Sequence, residues 1–136
     1  MKPFLGAEIT LQVGQEIMVE SHSEDETKGV VFEDDGETGY FYARDFKKPD
    51  SGFVDALHIY NVQGVVDRDR PAALKILWTR DYSAAALLIN LRPQAVFHFG
   101  KKCGYAPDPF PSSAADPDWT HSKMVDEIRG WFFQET

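Results

Sequence analysis

Cysteine is nearly absent from this sequence. Its 136 residues contain one, Cys103, which rules out an intramolecular disulfide and a cysteine-rich zinc site within one chain. Such a chain suits a reducing compartment. Long apolar runs are absent too: the longest, Ala84 to Ile89, is far too short to cross a bilayer. From Met1 to Gly14 apolar and polar residues alternate, with no basic start and apolar run of a signal peptide, so a cytoplasmic location is expected. No glycine-rich phosphate loop is visible, because Gly29, Gly36 and Gly39 fit a hairpin and not a strand-to-helix turn. Ser51 and Ser83 lack the Gly-x-Ser-x-Gly setting of a nucleophile elbow. The histidines, His22, His58, His98 and His121, show none of the three- or four-residue spacings of helical zinc ligands. No metal and no cofactor is expected.

Basic residues are the minority, 14 against 22 acids, giving a net charge of -8. The imbalance is local. Residues 1–40 hold ten acids (Glu8, Glu16, Glu20, Glu24, Asp25, Glu26, Glu33, Asp34, Asp35, Glu37) and two bases (Lys2, Lys28), while residues 41–136 hold twelve of each. Such a surface repels phosphate backbones and anionic lipid heads and favours a basic protein, so neither nucleic acid nor membrane is expected as a partner. Glu24, Asp25, Glu26, Asp34 and Asp35 are the candidate partner-facing residues. The plainer reading is that these acids solvate exposed strand faces and a loop.

What is present is the material of a β-rich domain. The hydrophobic fraction is 43%, ordinary for a globular chain, and the length suits one domain. Ile9, Leu11 and Val13 alternate with polar neighbours, and Ile17 and Val19 resume after Gly14-Gln15, as half-buried strands require. Gly29 to Asp34 and Gly39 to Phe46 flank Asp35-Gly36, the strongest hairpin signal in the chain. After the loop from Lys47 to Gly52, a strand runs from Phe53 to Val62, with Leu57, Ile59 and Asn61 on one face and Ala56, His58, Tyr60 and Val62 on the other. Further strands are expected over 74–79, 84–91 and 95–100, with turns at 80–83 and at Arg92-Pro93-Gln94. Ala84 to Leu91 is apolar on both faces, as in a central strand. The whole reads as α+β, mostly β: an antiparallel sheet or meander of about seven strands with one C-terminal helix. A single domain is expected over 1–136, with a β-rich body over 1–100, a proline-rich arm over 104–119 (Pro107, Pro109, Pro111, Pro117) and a helix over 120–134. Thr120 or Ser122 would cap that helix, and Met124, Ile128, Trp131 and Phe132 share one helical face that should dock on the sheet.

Few residues invite chemistry. Glu33 to Glu37 clusters carboxylates at a turn, but without the spacing of a helix–loop–helix calcium loop. Cys103 follows Lys101-Lys102, whose charges would favour the thiolate, yet a Cys–His enzyme would need His58 or His98 beside it. His58 and His98 both fall in strands and could meet across the sheet, with Asp55 or Tyr60 flanking His58 and Arg80 at a strand end.

Three stretches have a familiar wording: residues 30–43 (VVFEDDGETGYFYA), 55–62 (DALHIYNV) and 75–81 (KILWTRD). They resemble a family of short bacterial proteins known only as a domain of unknown function. The resemblance covers roughly residues 5–100. It implies a bacterial source and a stand-alone domain, and it brings no catalytic residues with it.

Two functions are in competition. The first is a non-enzymatic protein-interaction module, in one concrete form an inhibitor or immunity-type protein, whose acidic part meets a basic protein. The second is a small-ligand-binding or enzymatic domain with a site near His58, Tyr60, Arg80 and His98. The lack of any complete catalytic set favours the first. The apolar helical stripe leaves a homodimer contact as an open alternative to docking on the chain's own sheet.

Overall fold

The computed structural model describes residues 3–48, 52–107 and 117–132. Among these residues ten strands make two sheets, with one short helix near the C-terminus. The strands are β1 (Phe4–Leu11), β2 (Ile17–His22), β3 (Lys28–Asp34), β4 (Thr38–Asp45), β5 (Phe53–Asn61), β6 (Ala72–Trp78), β7 (Ala84–Ile89), β8 (Arg92–His98), β9 (Cys103–Ala106) and β10 (Thr120–Lys123), and the helix is α1 (Asp126–Gly130). Six strands run in the order β1-β6-β7-β8-β9-β10 and four in the order β2-β3-β4-β5. Neighbours are antiparallel except β9 and β10, which are parallel. No described helix is long and apolar enough to cross a membrane.

The two sheets face each other across a core of Leu11, Val30, Phe32, Phe41, Trp78 and Phe97. Phe41 and Phe97 stack at 5.1 Å between centroids, and the Trp78 indole Nε1–H donates to Ser21 Oγ at 2.8 Å, so each sheet contributes to the join. Alternation explains the faces. Leu74, Ile76 and Trp78 on β6 all point into this core, as their period of two requires. On β7 the odd residues Ala85 and Leu87 enter it, while Ala84, Ala86 and Leu88 enter a second core on the other side of the same sheet. That second core is closed by Met124, Ile128 and Phe132, with Trp131 at its margin, so the C-terminal stripe packs on the chain's own sheet.

The structure changes several boundaries. Residues 120–123, expected in the helix, instead extend the six-stranded sheet beside β9, and the helix is confined to Asp126–Gly130 with Val125 at its start and no side-chain cap. Short polar residues at the end of an irregular segment serve a parallel edge strand as readily as a helix cap. The expected turn at 92–94 lies two residues earlier: Asn90 and Leu91 both have positive φ (52° and 65°), and Arg92 and Pro93 already belong to β8. Proline is tolerated there because β9 pairs with β8 only from Val96 onward, so the missing N–H faces no strand. The hairpin at Asp35-Gly36 forms as expected, with Gly36 at φ 96°. The arm residues 108–116 and the expected helix end 133–134 lie outside the described residues.

Candidate functional site

The two sheets differ in what covers them. Helix α1 closes the outer face of the six-stranded sheet, whereas the outer face of the four-stranded sheet presents Met18 and Phe53, which are 57% and 39% exposed. Register places Met18 beside Glu33, Glu20 beside Val31, and Tyr42 beside Ala56. Tyr40 and Tyr42 stack at 5.9 Å, Tyr40 meets His58 edge-on at 5.4 Å, and Tyr42 meets Phe53 edge-on at 5.5 Å. The Arg44 guanidinium lies over the rings of Phe46 and Phe53, at 4.7 and 4.8 Å. Between these groups is a hollow of about 420 Å³, walled by Met18, Val31, Tyr42 and Phe53, with Glu33 at its rim and Asp55 at its end. Among the described residues no lysine or arginine lines it. The Tyr42 hydroxyl donates to Glu33 at 3.3 Å, and partial burial, reinforced by the Glu33 charge, pushes the phenol up to about 12. Tyr42 therefore stays a phenol, and a hydrogen-bond donor, at neutral pH.

The expected ligand site is not gathered in one place. Tyr40 pairs with His58 and Gly39 with Tyr60, so β5 carries an extra residue, Ile59, in a bulge. That bulge reverses the alternation: His58 stays on the outer face against Tyr40, while Tyr60 turns toward the core. The expectation that His58 and Tyr60 share a face is corrected on that ground. His58 Nε2 lies 2.9 Å from Asn61 Oδ1. Arg80 and His98 do share a cleft, of about 310 Å³, with Asp81, Ser83 and Trp131. In it His98 Nδ1 accepts the Lys101 N–H at 3.1 Å, and burial, then the Lys101 charge, lowers its pKa. The Ser83 hydroxyl donates to Asp81 at 2.7 Å and not to His98, so this cleft holds no serine–histidine relay. Asp81 is held at about 2 by Ser83 and Thr79. Arg80 lies over the Phe4 ring at 4.4 Å. Cys103 is buried in the second core with its Sγ toward the Gly104 carbonyl, closed to a substrate.

Among the acidic candidates, Glu24, Asp25, Glu26 and Asp35 are exposed, but Asp34 is 1% exposed and does not face a partner. Its carboxylate accepts from Gly14 N–H (2.7 Å), Tyr60 O–H (2.7 Å) and Gly36 N–H (2.8 Å), tying two turns to β5. That contact, after burial, raises the Tyr60 pKa. Asp25 accepts from Ser23 and Thr27, which lowers its pKa, and Asp35 accepts from the N–H groups of Glu37 and Thr38. These two acids shape their turns while remaining at the surface.

One pair had no signal in the sequence. His121 on β10 donates its Nε2–H to Asp55 on β5, 2.8 Å from Oδ1 and 3.0 Å from Oδ2. Their side chains are 5% and 0% exposed. The bulge that inserts Val54 puts Asp55 opposite the core residue Ala43, and a Cβ on Gly104 would come within 2.9 Å of the carboxylate. Burial raises the Asp55 pKa, and the contact with His121 opposes that. The two residues are 66 apart in sequence, so no local pattern could join them.

No solved structure matches the chain. A relative from Haemophilus influenzae, described as an uncharacterized protein, is 40% identical over 98 residues, which is 72% of this chain and 61% of that protein. The chain thus spans under two thirds of that relative's length. Residues 11–133 match the family described as "Uncharacterized protein conserved in bacteria (DUF2251)", a match that runs from the end of β1 through the C-terminal helix and its stripe, and the chain belongs to that family.

Proposed function

We propose that the protein is a non-enzymatic protein-interaction module, of the kind an inhibitor or immunity protein would be, which takes a lysine or arginine side chain of a basic partner into the hollow on the four-stranded sheet. The observation that supports this is the chemistry of that hollow: hydrocarbon and aromatic walls, a carboxylate rim and, among the described residues, no lining cation. A lysine or arginine has a matching form, an apolar stem with a charged head. Arg44, lying over Phe46 and Phe53 nearby, shows that rings on this face accept a cation. The acids of residues 1–40 add a long-range field that would speed encounter with a basic surface.

The test is a titration of isotope-labelled protein with a short lysine- and arginine-rich peptide, followed by amide shifts. Shifts should centre on Met18, Val31, Tyr42 and Phe53, weaken several-fold between low and high salt, and fall by about tenfold in the double variant Glu33→Gln, Phe53→Ala. Shifts confined to other surfaces, or binding indifferent to both salt and the double variant, would overturn the proposal.

A further inference from the structure

A second cavity, of about 430 Å³, lies at the end of the sandwich where β5 runs into the loop before β6. Its inner wall is hydrocarbon, formed by Val13, Ile59 and Ile89, which pack against the inter-sheet core. Its mouth is polar, with Asp67 and Arg70 from the loop and Asn90 from the β7–β8 turn. The size falls in the range of small-molecule pockets, roughly 300–1,000 Å³.

The loop that forms the mouth is tied down. Val62 N–H donates to the Glu37 carbonyl at 2.8 Å, Arg68 Nη1 reaches the Gln63 carbonyl at 3.3 Å, and Gln12 Nε2 donates to the Arg68 carbonyl at 2.8 Å. Arg70 N–H donates to the Asp67 carbonyl at 2.9 Å, closing a turn that brings residues 67 and 70 together. Both are exposed, and among the described residues neither side chain has a hydrogen-bonding or ionic partner. Asn90 uses its Oδ1 on the Ala73 N–H at 2.9 Å, which leaves its amide N–H₂ as a donor. The cavity therefore offers a cationic fork, a neutral donor and a carboxylate at its mouth, with hydrocarbon inside.

We propose that this cavity binds a free α-amino acid with a hydrocarbon side chain. The carboxylate meets Arg70 and the Asn90 amide, the ammonium meets Asp67, and the side chain enters between Val13, Ile59 and Ile89. A carboxylic acid lacking the ammonium would set a second negative charge against Asp67, in a chain of net charge -8. An amine lacking the carboxylate would face Arg70 unpaired. A zwitterion answers both groups, and the guanidinium's planar fork suits the carboxylate in particular.

The experiment is a titration of the isotope-labelled full chain with L-leucine to about 10 mM, enough to fill most of a site with a millimolar dissociation constant. The single-charge analogues 4-methylpentanoate and isopentylamine are run in parallel. Leucine should move the amides of Val65, Asp67, Arg70 and Asn90, and each analogue should bind at least about tenfold more weakly. Arg70→Gln and Asp67→Asn should each weaken leucine by a similar factor, with Arg70→Lys intermediate. Both positions are exposed, so melting temperatures should match the parent, and the Lys variant separates loss of charge from loss of fold. No movement of these amides with leucine, an analogue that binds as well as leucine, or an unchanged affinity in Arg70→Gln would overturn the proposal. None of these outcomes bears on the basic-partner hollow, which lies on a different face.

Discussion

Replacing His121 with alanine should be among the most damaging single changes outside the aromatic core. The pair it makes with Asp55 joins the last strand of one sheet to the last strand of the other, with both side chains nearly closed to water. Removing one partner of a buried pair typically costs about 3–5 kcal/mol, because the remaining carboxylate is left buried without its hydrogen-bond partner. Asp55 can limit that cost by taking a proton, since burial already pushes its pKa up. This gives the loss a sign in pH. Without His121 the folded-state pKa of Asp55 should rise further above its ordinary value of 3.8. A carboxyl with a raised folded pKa contributes stability that is fully present below the unfolded value and lost as pH rises through the folded one. The deficit of His121→Ala relative to the parent should therefore be smallest near the ordinary carboxyl value of 3.8 and grow as pH rises above it. Urea unfolding followed by tryptophan fluorescence at several pH values measures it. Asp55→Asn, which keeps an oxygen acceptor and carries no charge, should cost less than Asp55→Ala. A deficit under about 1 kcal/mol for His121→Ala at neutral pH, or one that does not change between about pH 4 and pH 7, would refute the reasoning.

Three further outcomes follow from the packing and the turns. Asp81, held at about 2 by Ser83 and Thr79, contributes stability that is present above about pH 4 and lost as pH falls through 2; the group is largely exposed, so its share is under about 1 kcal/mol, and Asp81→Asn should lie below the parent at pH 5 and converge with it near pH 2 in chemical unfolding. Leu91 sits at φ 65° in the β7–β8 turn with its side chain 65% exposed, so Leu91→Gly should relieve left-handed strain and raise stability by roughly 0.5–1 kcal/mol, read as a higher melting temperature; a lower one would contradict the turn assignment. Phe97→Ala should cost about 3–5 kcal/mol, and Ile128→Ala about 2–4, because both fill closed cores on opposite faces of one sheet, and a truncation after Trp119 that left stability unchanged would show that the helix does not close the second core.

The sequence by itself determined what local spacing can carry. Period-two alternation placed Leu74, Ile76 and Trp78 on one buried face, the doubly apolar run from Ala84 marked a central strand, Asp35-Gly36 marked a hairpin, and the stripe Met124, Ile128, Trp131 and Phe132 marked a segment that packs on the sheet. Each of these rests on residues a few positions apart, where backbone geometry fixes which way side chains point. The tertiary structure decided the rest. A single inserted residue in β5 reverses the faces of His58 and Tyr60, and composition gives no sign of a bulge that its partner strand imposes. Asp34 looks like one more surface acid in the string 33–37, yet the turn at Gly14 and Tyr60 converge on it from 20 and 26 residues away. Arg80 and His98 come to one cleft because β6, β7 and β8 are adjacent, while His58 lies in the other sheet. The Asp55–His121 pair needs β5 and β10 to meet, and that depends on how the two sheets stack rather than on any periodicity within either strand.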